Sequence, residues 1–106
     1  MMARRWILIG VLGFTALVPG ADARSETREE SFLRGNRLYE AGDFAGAAEA
    51  YAAIREQGWT SAELEYNLGN AYLKAGSVGR AIVHFRRALI LRPGYANASD
   101  NIKYAQ

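Results

Sequence analysis

The stretch YNLGNAYLKAG at residues 66–76 decides the fold, because a weaker copy of it, FLRGNRLYEAG, occupies residues 32–42. Gly69 of the stronger copy corresponds to Gly35 of the weaker one. Further along the chain Ala81 corresponds to Ala47, and Phe85 to Tyr51, always at one constant offset. A fixed offset of this size indicates two copies of one supersecondary unit that stack on each other.

The stronger copy predicts a helix, a tight turn and a second helix. Gly76 can take the positive φ that ends the first helix, Ser77 can cap the second, and Pro93 cannot continue it. Apolar and small residues recur at three- and four-residue steps, which places them on one face of each helix. The first face comprises Leu64, Leu68, Ala71, Tyr72 and Ala75, and the second comprises Val78, Ala81, Ile82, Phe85, Ala88 and Leu89.

Small and large residues alternate across the two predicted faces. Gly69 and Ala81 let the backbones approach, while Tyr72 and Phe85 fill the space beside them. Two ordinary amphipathic helices would share the periodicity, but not the recurrence of small and large residues at fixed offsets. The pattern therefore favours a packed helical pair that is repeated along the chain.

The weaker copy predicts helices over residues 28–41 and 44–57. Thr27 with Glu30 forms a capping-box signature, and Asp43 can cap the second helix. In the link that follows, either Thr60 or Ser61 can cap the next helix, and Thr60 with Glu63 matches a second capping box. The domain boundaries follow: a flexible start at 24–27, repeats at 28–61 and 62–95, and a capping helix at 96–106.

Two further features are the link between the repeats and the helix that follows them. We expect Trp59 to pack over the seam between them, the alternative being that it faces a partner. We expect the last helix to pack through Tyr95, Ala98, Ile102 and Ala105 and to present a polar outer face, as terminal repeats do.

Residues 1–23 have the pattern of a secretory signal peptide. Arg4 and Arg5 precede an apolar run at residues 6–18, and the sequence ADA at 21–23 supplies the small residues of a cleavage site after Ala23. The run is shorter than the roughly 20 residues of a membrane span. The mature protein is therefore predicted to be periplasmic or exported, the alternative being an uncleaved leader that anchors it to the inner membrane.

Composition excludes several classes of site. The chain of 106 residues has no cysteine and one histidine, and its net charge is only +2. It therefore lacks thiolate chemistry, and neither a catalytic triad nor a metal site is expected. His84 is predicted to lie on the surface, and no phosphate loop occurs. We predict no enzyme, no cofactor and no nucleic-acid partner.

A basic edge follows the second helix of the stronger repeat. A solvated face, favourable near a helix C-terminus, explains it most simply, and acidic lipid headgroups or an acidic partner are the alternatives. The edge comprises Arg80, Arg86, Arg87 and Arg92.

The repeated motifs resemble the tetratricopeptide repeat (TPR) family, whose characteristic period equals the offset between the two copies. The resemblance implies an all-α solenoid of about two and a half helix-turn-helix repeats with a C-terminal capping helix. It also implies that the first helix of each repeat lines a concave, partner-binding groove. The implied groove residues are Glu29, Phe32, Asn36, Tyr39 and Glu40 in repeat one, and Glu63, Tyr66, Asn70, Leu73 and Lys74 in repeat two.

The implied groove combines aromatic side chains with amides. Asn36 and Asn70 can donate to and accept from a peptide backbone, although they could instead satisfy hydrogen bonds between helices. Members of the family that clamp a chaperone's C-terminal carboxylate carry matching asparagines, here Asn36 and Asn67. Their cations, however, are replaced here by Phe32, Asn97 and Asn101. A carboxylate clamp is therefore not expected.

The run from residue 65 to residue 93 is also similar to the exported TPR protein of bacterial aerotolerance (Bat) operons. The matching segments are EYNLGNAY at 65–72, GRAI at 79–82, RRAL at 86–89 and LRP at 91–93. These resemblances imply a non-catalytic adaptor that binds a peptide or protein segment. The alternative is a structural module that self-associates or stacks on another repeat protein.

Overall fold

The computed structural model describes residues 26–106, in which all regular secondary structure is helical. Consecutive helices pack on one another in chain order, so the described part is the predicted α-solenoid. The predicted leader at residues 1–23 lies outside the described residues. The five helices are α1 (Arg28–Glu40), α2 (Phe44–Glu56), α3 (Ala62–Lys74), α4 (Val78–Leu91) and α5 (Ala96–Ala105).

The first two helices begin at the predicted caps. Thr27 accepts a hydrogen bond from the amide of Glu30, and the Glu30 carboxylate accepts from the Thr27 amide, which completes the capping box. Asp43 accepts from the amide of Gly46 at 2.9 Å. These bonds satisfy amide groups that have no partner within the helix. Three glycines adopt positive φ just beyond helix ends, at Gly42, Gly58 and Gly76.

The predicted capping box of Thr60 and Glu63 is wrong, and the prediction for Ser77 is confirmed in position only. Ser61 caps α3 by accepting from the Leu64 amide, whereas the Thr60 hydroxyl donates to Glu65 and makes no capping box with Glu63. Ser77 occupies the N-cap position of α4, but its side chain makes no capping hydrogen bond. Local spacing gave no sign of the buried carboxylate that attracts the Thr60 hydroxyl.

Within each repeat, a glycine of the first helix lies against an aromatic ring of the second. A Cβ atom placed on Gly35 would lie 2.5 Å from the ring of Tyr51, and one on Gly69 would lie 2.5 Å from the ring of Phe85. Neither position has room for a side chain. The predicted close approach of the paired helices is therefore confirmed in both repeats.

Two apolar clusters form a core that continues through α3. One surface of α3 contributes Leu64, Leu68 and Ala71 to the first cluster, and Tyr72 packs against both clusters. In the second cluster Ala98 of α5 is fully buried against Phe85 and its neighbours. The last helix thus covers the end of the second repeat, as predicted for a capping helix.

None of the helices described here is long and apolar enough to cross a membrane.

Candidate partner-binding cleft

A cleft of about 220 Å³ lies between α1 and α3, the first helices of the two repeats. Side chains from both helices line it, together with Tyr51 of α2. Four lining residues belong to the groove that the family resemblance implies. The full lining is Asn36, Tyr39, Glu40, Tyr51, Asn67 and Asn70.

The oxygens of the two predicted asparagines bond neighbouring helices. The Tyr51 hydroxyl donates to Oδ1 of Asn36 at 2.6 Å, and Nδ2 of Asn101 donates to Oδ1 of Asn70 at 2.7 Å. The two side-chain oxygens therefore form hydrogen bonds between helices, which was the alternative to binding a peptide main chain. The Nδ2 groups of Asn36 and Asn70 donate to no other described residue, so they remain the groups that a ligand could engage.

Asn67, like Tyr51, is a cleft residue that the groove prediction missed. Its side chain is half-buried and lines the cleft between the two predicted asparagines. It makes no hydrogen bond with another residue of the described part. A half-buried amide of this kind offers a donor and an acceptor to a peptide main chain. The only sequence signal for Asn67 was its match to a clamp asparagine.

The cleft also holds two phenols and a carboxylate. The Tyr39 ring packs edge-on against Phe44 with a centroid distance of 5.0 Å. Burial raises the pKa of Tyr39, and burial together with the nearby Tyr39 and Glu40 raises the pKa of Tyr51 to about 12. Both phenols are therefore protonated donors at neutral pH. Glu40 is exposed at the rim and makes the cleft edge acidic.

Two predicted groove residues of α3 serve mainly in packing. The Tyr66 ring lies 5.9 Å from that of Phe85 and 5.0 Å from that of Tyr95, and its hydroxyl accepts from Asn101 at 3.5 Å. Leu73 packs against the second apolar cluster. Truncating Tyr66, or placing a charged side chain at position 70 beside Asn101, would therefore disturb the contact between α3 and α5. Neither substitution would test partner binding separately from folding.

The remaining predicted residues lie away from the cleft. Glu63 is exposed and pairs with Arg92, and Lys74 is exposed in the last turn of α3. Glu29 and Phe32 line a second pocket. The structure thus brings together Asn36, Tyr39, Glu40 and Asn70 and separates the other six residues from them.

The second pocket is larger, about 410 Å³, and is mainly apolar. It lies where the start of α1 meets the link between repeats. Trp59 forms part of its wall, is 55 % exposed, and carries the Arg28 guanidinium 3.7 Å above its ring. Trp59 therefore lies at the seam between repeats, as expected, while half of its surface remains open. The other apolar wall residues are Phe32, Leu33, Ile54 and Leu64.

A buried polar cluster joins the two repeats, and it corrects the prediction for His84. That residue is 9 % exposed rather than on the surface, and its Nδ1 lies 2.7 Å from Oε1 of Glu65. Oε2 of the same carboxylate accepts from Arg55 and Thr60, each at 2.6 Å. The cluster therefore links α2, the inter-repeat segment, α3 and α4.

Hydrogen bonds determine the ionisation of Glu65. Its side chain is 1 % exposed, and burial alone would raise its pKa. The hydrogen bonds from His84 and Thr60 and the charge of Arg55 oppose this and lower the pKa of Glu65 to about 2. The Thr60 hydroxyl bonds the carboxylate rather than the imidazole. This cluster therefore contains no paired nucleophile and base, and its geometry suits structural support.

Two other kinds of functional site could in principle lie in the described part of the chain, a metal site and a continuous basic surface. Residues 26–106 contain no group of three or more His, Asp or Glu side chains that could hold a metal ion. The predicted basic edge is divided, because Arg92 pairs with Glu63 and lies over Tyr95, and Arg80 lies over Tyr72. Arg86 and Arg87 are exposed on the outer surface of α4.

The five helices, packed on one another in chain order, define an all-α helical-repeat protein. The family model for the tetratricopeptide repeat matches residues 32–96, which is more than half of the chain, and the protein belongs to that family. Members of the family generally mediate protein–protein interactions and are typically non-catalytic. No curated protein sequence matches the chain.

Proposed function

We propose that this TPR protein is a non-catalytic adaptor that binds a peptide or an extended protein segment in the cleft between α1 and α3. Asn67 carries the proposal, because its amide is half-buried in the cleft and bonds no other described residue. The amide is therefore available to the main chain of a bound segment, which can both donate to it and accept from it.

The size of the cleft favours a main chain over a compact ligand. Its volume of about 220 Å³ is below the roughly 300–1,000 Å³ of pockets that enclose small molecules. Asn67 can bond both groups of one peptide unit, and the Nδ2 groups of Asn36 and Asn70 can donate to carbonyls on either side. Tyr39 supplies contact area, and Glu40 favours a basic side chain at the rim.

Replacing Asn67 by alanine is expected to weaken partner binding by roughly tenfold, the effect of one or two lost hydrogen bonds. The measurement is affinity capture with full-length protein from envelope extracts, followed by titration of the captured partner. Asn97→Ala is the matched control, because Asn97 is exposed on α5 outside the cleft. Equal binding by the two variants, with both folded, would remove Asn67 from the proposed site.

A structural role by self-association is the second candidate. Tyr104 on the outer surface of α5 is 82 % exposed and could contact another copy. Most of that surface is polar, however, including Asn97, Asp100 and Lys103. Stacking would bury these groups without apolar compensation, which favours the adaptor role. A mass that rises with protein concentration in sedimentation, and falls with Tyr104→Ser, would favour self-association instead.

We propose further that the protein acts in the bacterial cell envelope. The leader pattern at residues 1–23 and the similarity to the exported TPR protein of Bat operons support this location. Intact-mass spectrometry of protein recovered from the periplasm is expected to show a chain that begins at Arg24. A membrane-bound chain that retains residues 1–23 would instead identify the leader as an anchor.

A further inference from the structure

We infer that the apolar pocket beside Trp59 is a second binding site, which accepts an aromatic side chain of the bound partner. The inference rests on the proposed adaptor function, because it names a side chain that such a partner would insert. This pocket shares no lining residue with the cleft between α1 and α3. The two repeats differ at this place, as follows from their corresponding residues.

In repeat two the corresponding space is already filled by an aromatic ring. Tyr95, at the N-cap of α5, lies with its centroid 5.0 Å from that of Tyr66, and the Arg92 guanidinium lies 4.7 Å above the Tyr95 ring. The other neighbour of Tyr66 is Phe85, at 5.9 Å and an interplanar angle of 50°. The chain thus places its own tyrosine at the junction between repeat two and the capping helix.

Repeat one reproduces this arrangement without the filling ring. Phe32 occupies the position of Tyr66, and it lies 5.8 Å from Tyr51 at an interplanar angle of 53°. The residue that corresponds to Tyr95 by the repeat offset is Ser61, the N-cap of α3. A serine cannot reach across to Phe32. The pocket of about 410 Å³ opens where the repeat-two tyrosine would lie.

The walls of the pocket suit an aromatic guest. Phe32 forms one wall, Trp59 another, and Leu33, Ile54 and Leu64 complete an apolar lining. Aromatic rings attract one another in tilted or offset arrangements, as the Tyr66–Tyr95 pair shows within this chain. Leu33 and Trp59 are each 55 % exposed, so burying them against a guest removes apolar surface from water. Arg28, over the Trp59 ring, can donate to a phenolic oxygen at the rim.

The decisive variant is Ser61→Tyr, which supplies the ring from within the chain. Its matched control is Ser61→Ala, because both variants lose the hydrogen bond from the Leu64 amide while only the tyrosine can fill the pocket. Ser61→Tyr is expected to unfold at a higher denaturant concentration than Ser61→Ala. If its midpoint is equal or lower, the pocket does not accept the ring and the inference fails.

Binding is tested on the full chain carrying Trp6→Phe, which leaves Trp59 as the one tryptophan. The probes are a glycine pentapeptide with a central tyrosine and its counterpart with a central alanine, titrated while Trp59 fluorescence is excited at the red edge. We expect a saturable response to the tyrosine peptide in the parent and in Ser61→Ala. We expect binding to be at least about tenfold weaker with the alanine peptide and in Ser61→Tyr.

The same titration separates this inference from the adaptor proposal. Asn67→Ala should leave the Trp59 response unchanged, because Asn67 does not line this pocket. Equal responses to the two peptides, or an undiminished response in Ser61→Tyr, would overturn the aromatic site even where partner capture through the cleft persists. Loss of partner capture in Asn67→Ala with an intact aromatic response supports both sites as separate surfaces.

Discussion

Replacing Phe85 by alanine is expected to lower the free energy of unfolding by about 3–5 kcal/mol, because Phe85 is the largest fully buried side chain of residues 26–106. Phe85 is fully buried, and its ring rests on Gly69 so closely that no side chain fits between them. Ala88 and Ala98 beside it are too small to fill the space that the ring would leave. The cavity therefore persists, and the favourable free energy of transferring the ring out of water is lost as well.

This loss is large compared with the stability of a small domain, which is about 5–15 kcal/mol in total. Chemical denaturation followed by circular dichroism measures it. Ile90→Ala is the control on the same helix, because Ile90 is 78 % exposed and its truncation leaves no cavity. Equal shifts in the two variants would contradict the assignment of Phe85 to the core.

Replacing Glu65 by glutamine is expected to cost about 2–4 kcal/mol, the second-largest effect. The carboxylate accepts from Arg55 and Thr60 at one oxygen and contacts His84 at the other. An amide of the same shape must direct its NH₂ group at one of these partners. Turned towards Arg55, the NH₂ group faces a side chain that can only donate; turned towards His84, it has an acceptor only in one tautomer of the neutral ring. In both orientations the negative charge that Arg55 pairs with is lost, and the link between the repeats weakens.

The stability that Glu65 contributes should depend on pH in the acidic range. The folded pKa of Glu65 is lowered from 4.5 to about 2, so the folded state favours the ionised form. The contribution is therefore present in full above the unfolded pKa of about 4.5 and is lost as pH falls towards 2. Unfolding free energies measured across this range should fall more steeply for the native chain than for Glu65→Gln.

Glu63→Gln is the matched control for the acidic range. Glu63 lies on the same helix and also pairs with an arginine, Arg92, but both side chains are about half exposed. Water and salt screen such a pair, so its removal should change stability much less than removal of Glu65. A Glu65→Gln variant that tracks the native chain at every pH would show that the buried cluster does not stabilise the fold.

The helices follow from local rules, which explains why they could be predicted from sequence. α1 and α2 begin at the predicted residues, and each ends one residue before its predicted end. These bounds could be predicted because a capping residue or a glycine acts within a single turn of helix. The pairing of Gly69 with Phe85 was also foreseeable, since the same small–large relation recurs one repeat earlier in Gly35 and Tyr51. The repeat therefore allowed contacts between helices to be predicted from a single sequence.

The polar contacts between helices were not foreseeable in the same way. Glu65 meets His84 across 19 residues, and Asn70 meets Asn101 across 31, so both depend on how the helices are rotated. The repeat offset does relate the buried pair to a second pair of positions. Glu65 and His84 correspond by the repeat offset to Ser31 and Ala50, two small residues that are also buried. Small residues at both corresponding positions are consistent with the buried position of His84.

For the cleft, too, the helices could be predicted from the sequence, whereas the side chains that line it depend on how the helices pack. The resemblance named α1 and α3, the two helices that line most of the cleft, but it could not tell which of their side chains line it. Tyr66 was expected in the groove and instead fills the junction with α5, because Tyr95 lies against it. Asn67 lines the cleft because rotation of α3 turns it towards α1.

A photo-crosslinking amino acid placed at residue 40 tests the central claim most directly. Glu40 lies on the exposed rim of the cleft, and Glu49, exposed on α2 away from the cleft, is the control position. On irradiation of cells that make the full chain, we predict a heterologous protein adduct from position 40 that is absent from position 49 and lost with Asn67→Ala. Adducts that are equal at both positions, or that consist of the protein's own copies alone, would contradict the adaptor account.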